Sequence, residues 1–159
     1  MRRDSTEIEA FADAGRHRVR QASAPPVPAQ ASEVSVLLVD DDPASREVVR
    51  RYLDRASYRT VEAEGGRQAL AALRGGAVVH FVVTDLQMAS GSGGWLLAQL
   101  AYEYPGLLPR TAVISGDADS AAAAHIAARW RCPMLEKPFT AVQLMNTLVR
   151  LAARGAEVA

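Results

Sequence analysis

The sequence predicts an α/β fold built on a doubly wound, parallel sheet of five strands. Three observations predict it. From Val34 onward, short apolar and β-branched runs alternate with stretches of helical periodicity, and that alternation is satisfied by a parallel sheet covered on both faces. The strongest runs are almost continuously apolar, as strands buried on both sides are. Aspartate, serine or lysine stands just past the ends of four of the runs, where open α/β sheets bind their ligands.

The elements follow in order. Val34–Val39 (VSVLLV) is the first strand. Asp42 then supplies an N-cap and Pro43 the first helical position, and Val48, Val49, Tyr52, Leu53 and Ala56 recur at helical spacing behind them. Tyr58–Ala63 is the second strand. Gly65–Arg74 is an Ala/Leu helix stopped by Gly75-Gly76. Val78–Thr84 is the third strand, followed by a Gly/Ser loop, Ala89–Gly94, and a helix, Trp95–Tyr104, that ends before Pro105. Thr111–Ile114, the Ala-rich helix Ser120–Arg129, the short strand Met134-Leu135 and the helix Thr140–Arg154 complete five β–α units. Right-handed crossovers lead to the flavodoxin-like strand order 2-1-3-4-5.

The expected domain is residues 33–154, with a short tail at 155–159. Residues 1–32 read differently. Gln21–Ala31 (QASAPPVPAQA) has the composition of a flexible Pro/Ala linker. Ahead of it, the capping-box pattern Thr6-x-x-Glu9 with Ile8 and Phe11 predicts a short helix up to about Arg20. The cluster Arg16–Arg20 is short and lacks interleaved aromatics, so it reads as a solvated helix end rather than a nucleic-acid contact. Formal charge is zero, from 18 basic and 18 acidic residues, which gives no support for nucleic-acid or membrane-surface binding. There is no membrane-spanning apolar run and no secretory signal pattern, so the expectation is a cytoplasmic protein. The single cysteine, Cys132, reads as core filler.

The chemistry gathers at the strand ends. Strand one ends in Asp40-Asp41, strand three in Asp85, strand four in Ser115, and strand five is followed by Lys137-Pro138. Taken singly, each has an ordinary explanation as a cap, turn or loop residue; Asp42 reads as a cap only. In the predicted strand order they share one rim. Carboxylates brought together there repel unless neutralised, and a hard divalent cation such as Mg²⁺ suits a few carboxylates, waters and phosphate oxygens. With a lysine and a hydroxyl added, the set meets the needs of phosphoryl transfer to a carboxylate. Lys137 is the only lysine among the 18 basic residues, where a compact point charge serves better than a planar guanidinium.

The stretches VLLVDDDPASR (Val36–Arg46), VVTDLQM (Val82–Met88), AVISG (Ala112–Gly116) and LEKPF (Leu135–Phe139), in that order and spacing, resemble the receiver domains of bacterial response regulators. The resemblance covers about residues 34–152. It implies that Asp85 is the phosphoacceptor; that Asp41, Asp85 and the backbone carbonyl of Gln87 hold Mg²⁺, with Asp40 acting through water; and that Ser115 and Lys137 bind the phosphoryl group. It further implies a phosphohistidine donor on a sensor histidine kinase or histidine phosphotransfer protein, in a two-component system or phosphorelay, and a cis Lys137–Pro138 bond. Three departures stand out. Ala89 replaces the proline usual four residues after the phosphoacceptor, Met134 stands where a switch aromatic is usual, and Cys132-Pro133 replaces an Ala/Gly stretch.

Two other readings compete. A phosphohydrolase of the haloacid dehalogenase type would carry a second aspartate two residues after the nucleophile, where this chain has Gln87, so no more than slow autodephosphorylation is expected. A phosphorylation-independent adaptor on the same fold is the other, and the intact acidic, hydroxyl and lysine set speaks against it. No phosphate-loop or dinucleotide-binding glycine motif is present. Because only one helix follows Phe139, the expectation is a stand-alone receiver that signals through protein contacts. The last helix carries a wide apolar face (Val142, Leu144, Met145, Leu148, Val149, Leu151, Ala152), which serves equally as a packed core face or as part of a partner or homodimer surface.

Overall fold

The computed structural model describes residues 22–89, 92–117 and 120–157. The helix expected before Arg20 and part of the Ala89–Gly94 loop lie outside them. Five strands, β1 (Ser35–Val39), β2 (Arg59–Ala63), β3 (Phe81–Asp85), β4 (Thr111–Ser115) and β5 (Met134–Glu136), form one sheet in the order β2-β1-β3-β4-β5. Every pairing is parallel, with Val39 beside Thr84 and Asp85 beside Ile114 at the carboxyl ends. The helices are α1 (Pro43–Arg55), α2 (Gly66–Arg74), α3 (Gly93–Glu103), α4 (Ala121–Trp130) and α5 (Ala141–Glu157). The expected fold class and strand order are what the structure has.

Burial explains the strand sequences. β3 and β4 are buried at all five positions, while the edge strands β2 and β5 are only partly so. One core layer packs Val36, Leu38, Phe81 and Ile114 against α1 and α5; the other packs Leu37, Val39 and Val82 against α2 and α3. Alternate residues of β1 thus serve opposite layers, as a strand's two-residue period requires. Capping follows the sequence: Asp42 accepts from Ala44 and Ser45, Ser92 from Trp95, and Ser120 from Ala123.

Most boundaries move by a residue or two, and three differences are larger. The third strand begins at Phe81 rather than Val78, because the ring of buried His80 takes the Ser35 N–H on Nδ1 (2.9 Å). The last helix continues to Glu157, so residues 155–157 are helical rather than tail. The described part of the Pro/Ala segment is packed, not free. Ala22 N donates to Glu103 O (3.0 Å), Ala24 joins one core layer and Val27 the other. The composition reads as a linker because proline and alanine carry few core signals, yet small side chains suffice to seal the base of the sheet. Arg110, buried, fastens this strap by donating to the Pro25 carbonyl.

Candidate functional site

The carboxyl ends of β1 and β3 bring the predicted residues together. Asp40 is fully buried and Asp85 is 5% exposed, both held in place by the strands they terminate. Lys137, arriving from the loop after β5, lies between them: its Nζ donates to Asp85 Oδ2 at 2.6 Å and to Asp40 Oδ2 at 3.1 Å. Burial pulls the Lys137 pKa down, but the hydrogen bonds and charges of Asp85 and Asp40 outweigh it and hold the ammonium above its ordinary value. The Lys137–Pro138 peptide is cis, and Lys137 N donates to Ser115 O at 2.9 Å, which joins the lysine loop to the end of β4.

Each carboxylate has its own partners. Asp40 Oδ1 accepts from Asp42 N (2.9 Å), and Asp85 Oδ1 accepts from Gln87 N (2.8 Å). Asp41 is exposed, and its Oδ2 accepts from Ala89 N at 2.9 Å. Ser115 is buried, its Oγ accepting from Asp117 N (3.1 Å). Asp42, expected to be a cap, is one.

The arrangement differs in one respect from three carboxylates crowding a single point. Among the described residues no three metal-ligating side chains form a cluster. Lys137 separates Asp40 from Asp85, and Asp41 turns toward the β3–α3 loop. The residues nonetheless fit Mg²⁺. The donors are all hard oxygens, Asp41 Oδ1 and the Gln87 carbonyl carry no hydrogen bond among the described residues, and this ion takes one or two protein carboxylates and keeps waters.

Sequence reasoning missed three contributors. Arg46 donates from Nη1 to the Asp40 carbonyl (2.7 Å), fixing α1 to the end of β1; its place one turn into a capped helix was the available signal. Gly93 packs on the backbone of Asp85, where any Cβ would collide with the carbonyl oxygen and with Leu86 Cα. Ala89, noted in the sequence only for replacing a proline, contributes the main-chain N–H that proline would lack. Cys132 is buried, and desolvation pushes its thiol up to about 12, so it is inert filler as expected.

These features define an Asp-centred pocket at the carboxyl ends of the strands of a (βα)₅ sheet. Comparison with known proteins gives the class: the response regulator receiver domain profile matches residues 36–149, and the chain belongs to that family. It is 34% identical over 115 residues to sensor kinase CckA of Brucella abortus, covering 72% of this chain and 12% of that protein. It is 32% identical over 119 residues to the C4-dicarboxylate transport transcriptional regulatory protein DctD of Pseudomonas aeruginosa, covering 75% of this chain and 25% of that one. The chain therefore spans a minor part of either relative. Among solved structures, a CheY-like receiver domain protein from Methanospirillum hungatei superposes with a TM-score of 0.71 at 18% identity, over 79% of this chain and 98% of that one. A receiver protein from Pseudomonas putida does so with a TM-score of 0.66 at 25% identity, over 74% and 96%. Receiver domains are signalling switches of two-component systems, and no helix among the described residues is long and apolar enough to cross a membrane.

Proposed function

We propose that this receiver accepts a phosphoryl group on Asp85 from a phosphohistidine of a sensor kinase or phosphotransfer protein, and signals by changing its protein contacts. The carrying observation is Lys137 bridging Asp85 Oδ2 and Asp40 Oδ2. In the proposed step an Asp85 carboxylate oxygen attacks phosphorus in line. The P–N bond of phosphohistidine breaks as the new O–P bond forms, and its electron pair stays on the imidazole nitrogen, which takes up a proton. Lys137 follows the charge: its ammonium, already on Asp85, pairs with a phosphoryl oxygen of the product. The Ser115 hydroxyl, at the end of the neighbouring strand, supplies a hydrogen bond to the same group. Asp41, Asp85 and the Gln87 carbonyl would hold Mg²⁺, with Asp40 acting through water, and the ion would supply positive charge to the phosphoryl oxygens. Gln87 is exposed and offers no carboxyl to act as an acid, which favours a switch over a phosphohydrolase.

The test is intact mass after incubation with acetyl phosphate and Mg²⁺, and then with a phosphohistidine protein. Gain of one phosphoryl group that disappears in Asp85→Asn is the expected result. No gain from either donor refutes the proposal.

A further inference from the structure

Of the three acidic side chains at the pocket, two are buried and each is held by two donors, Asp40 by Asp42 N and Lys137, Asp85 by Gln87 N and Lys137. Asp41 is different. It is exposed, Lys137 does not reach it, and among the described residues its one partner is Ala89 N–H, 48 residues along the chain. An exposed aspartate otherwise samples several staggered rotamers. A charge-assisted N–H···O⁻ bond at 2.9 Å selects one of them and leaves Oδ1 open. The donor is main chain, so alanine supplies it and proline, which has no N–H, does not.

The donor's own position is determined by the phosphoacceptor strand. Ala89 follows Asp85 by four residues, Gln87 N is tied to Asp85 Oδ1, and beyond the loop Gly93 N returns to Leu86 O (3.3 Å) with its backbone seated on Asp85. Asp41, two residues past β1, is thus oriented by Ala89, which lies between anchors at Asp85 and Leu86.

We propose that the Ala89 main-chain N–H is the positioning group for Asp41, and that it couples Mg²⁺ affinity to the conformation of the β3–α3 loop. The inference rests on the Mg²⁺ reading above. Outer partners that orient metal-binding carboxylates are commonly worth tenfold or more in affinity. Coupling of this kind is reciprocal: if the bond favours the metal by some factor, the metal must favour the bond by the same factor.

The experiment uses the full chain, with Mg²⁺ affinity from calorimetry and the Ala89 amide followed by hydrogen exchange. Ala89→Pro is expected to weaken Mg²⁺ about tenfold, while Ala89→Ser, which keeps the N–H, stays within about twofold of the parent. In the unaltered protein, saturating Mg²⁺ is expected to slow exchange at the Ala89 amide by that same factor, and in Asp41→Ala the amide is expected to lose its protection. The exchange result stands even where the proline variant fails to fold. Parent-like Mg²⁺ affinity in a folded Ala89→Pro, or Ala89 protection indifferent to Mg²⁺, overturns the proposal while leaving the metal site in place. Absence of Mg²⁺ binding by the parent protein overturns the metal reading and this inference together.

Discussion

Each end of the sheet holds a cation, half-buried Lys137 at one and buried Arg110 at the other, and they neutralise it in opposite ways. At the carboxyl end Lys137 sits between Asp85 and Asp40, and its pKa is held above the ordinary value although burial opposes it. At the amino end Arg110, more deeply buried, donates to the Pro25 carbonyl, its Nε has no partner among the described residues, and burial alone lowers its pKa. A cation neutralised by carboxylates can be re-paired when one of them becomes an acyl phosphate. A cation solvated by main-chain oxygens has nothing to exchange, and beside the last turns of α5, the negative end of that helix, it works as a fastener. On the proposed function, the paired cation serves chemistry at one end and architecture at the other; the partner distinguishes them.

The largest expected effect comes from removing the carboxyl-end cation. Lys137→Met leaves Asp40 and Asp85 facing each other without a counter-charge, and a loss of about 2–4 kcal/mol in urea unfolding is expected at pH 8. Mg²⁺ should restore part of that loss by supplying positive charge to the two carboxylates. In the unaltered protein the sign is fixed by the raised Lys137 pKa: its contribution is whole below the ordinary lysine value of 10.5 and fades as pH rises through the folded value. A deficit unmoved by Mg²⁺ would show that repulsion between the two carboxylates is not its source.

Next is Gly93. Its close approach to the Asp85 backbone leaves no room for a methyl group, and the obstacles are main-chain atoms that cannot swing aside. Gly93→Ala should cost about 1–3 kcal/mol and slow phosphoryl acceptance by shifting the Asp85 carbonyl. Stability and acceptance both unchanged would mean that the loop absorbs the methyl group freely.

Most of the fold and the side chains of the pocket were legible in the sequence for a physical reason. Strands buried on both faces must be apolar throughout, so the polar residue that ends each run is conspicuous; Asp40, Asp85 and Ser115 were found that way. Lys137 was conspicuous by composition. What was not legible depends on the main chain or on small residues. The Ala89 N–H is carried by every residue except proline, Gly93 looks like one more glycine in a flexible loop, and the docking of Ala22–Ala29 rests on methyl-sized contacts and on an arginine 85 positions from the carbonyl it holds.

The amino-end fastener gives a smaller effect with a diagnostic split. A Cβ on Gly155 would stand 2.5 Å from Arg110 Nε, the end of a flexible side chain. Gly155→Ala therefore displaces the guanidinium, while alanine in a helix regains about 1 kcal/mol over glycine. Net stability should change by less than about 1 kcal/mol, yet proteolytic cleavage between residues 22 and 30 should accelerate severalfold. Unchanged cleavage would show that Arg110 is not what holds the strap.

The smallest effect is the pH response of His80, at the same end. Burial, and then the neighbouring Arg110 charge, lower its pKa from the ordinary 6.5, and the Ser35 N–H on Nδ1 requires that nitrogen to be unprotonated. The unfolded chain therefore takes up a proton in a range where the folded one does not. Stability from this residue is whole above pH 6.5 and declines as pH falls toward the folded value. The slope attributable to it must lie below the ~1.4 kcal/mol per pH unit that one full proton gives. His80→Gln should remove that part of the slope while leaving phosphoryl acceptance at Asp85 untouched, because His80 lies before the first residue of β3 and Asp85 is its last. If the slope survives the substitution, His80 is not its source, and the Ser35–His80 hydrogen bond does not tie stability to pH.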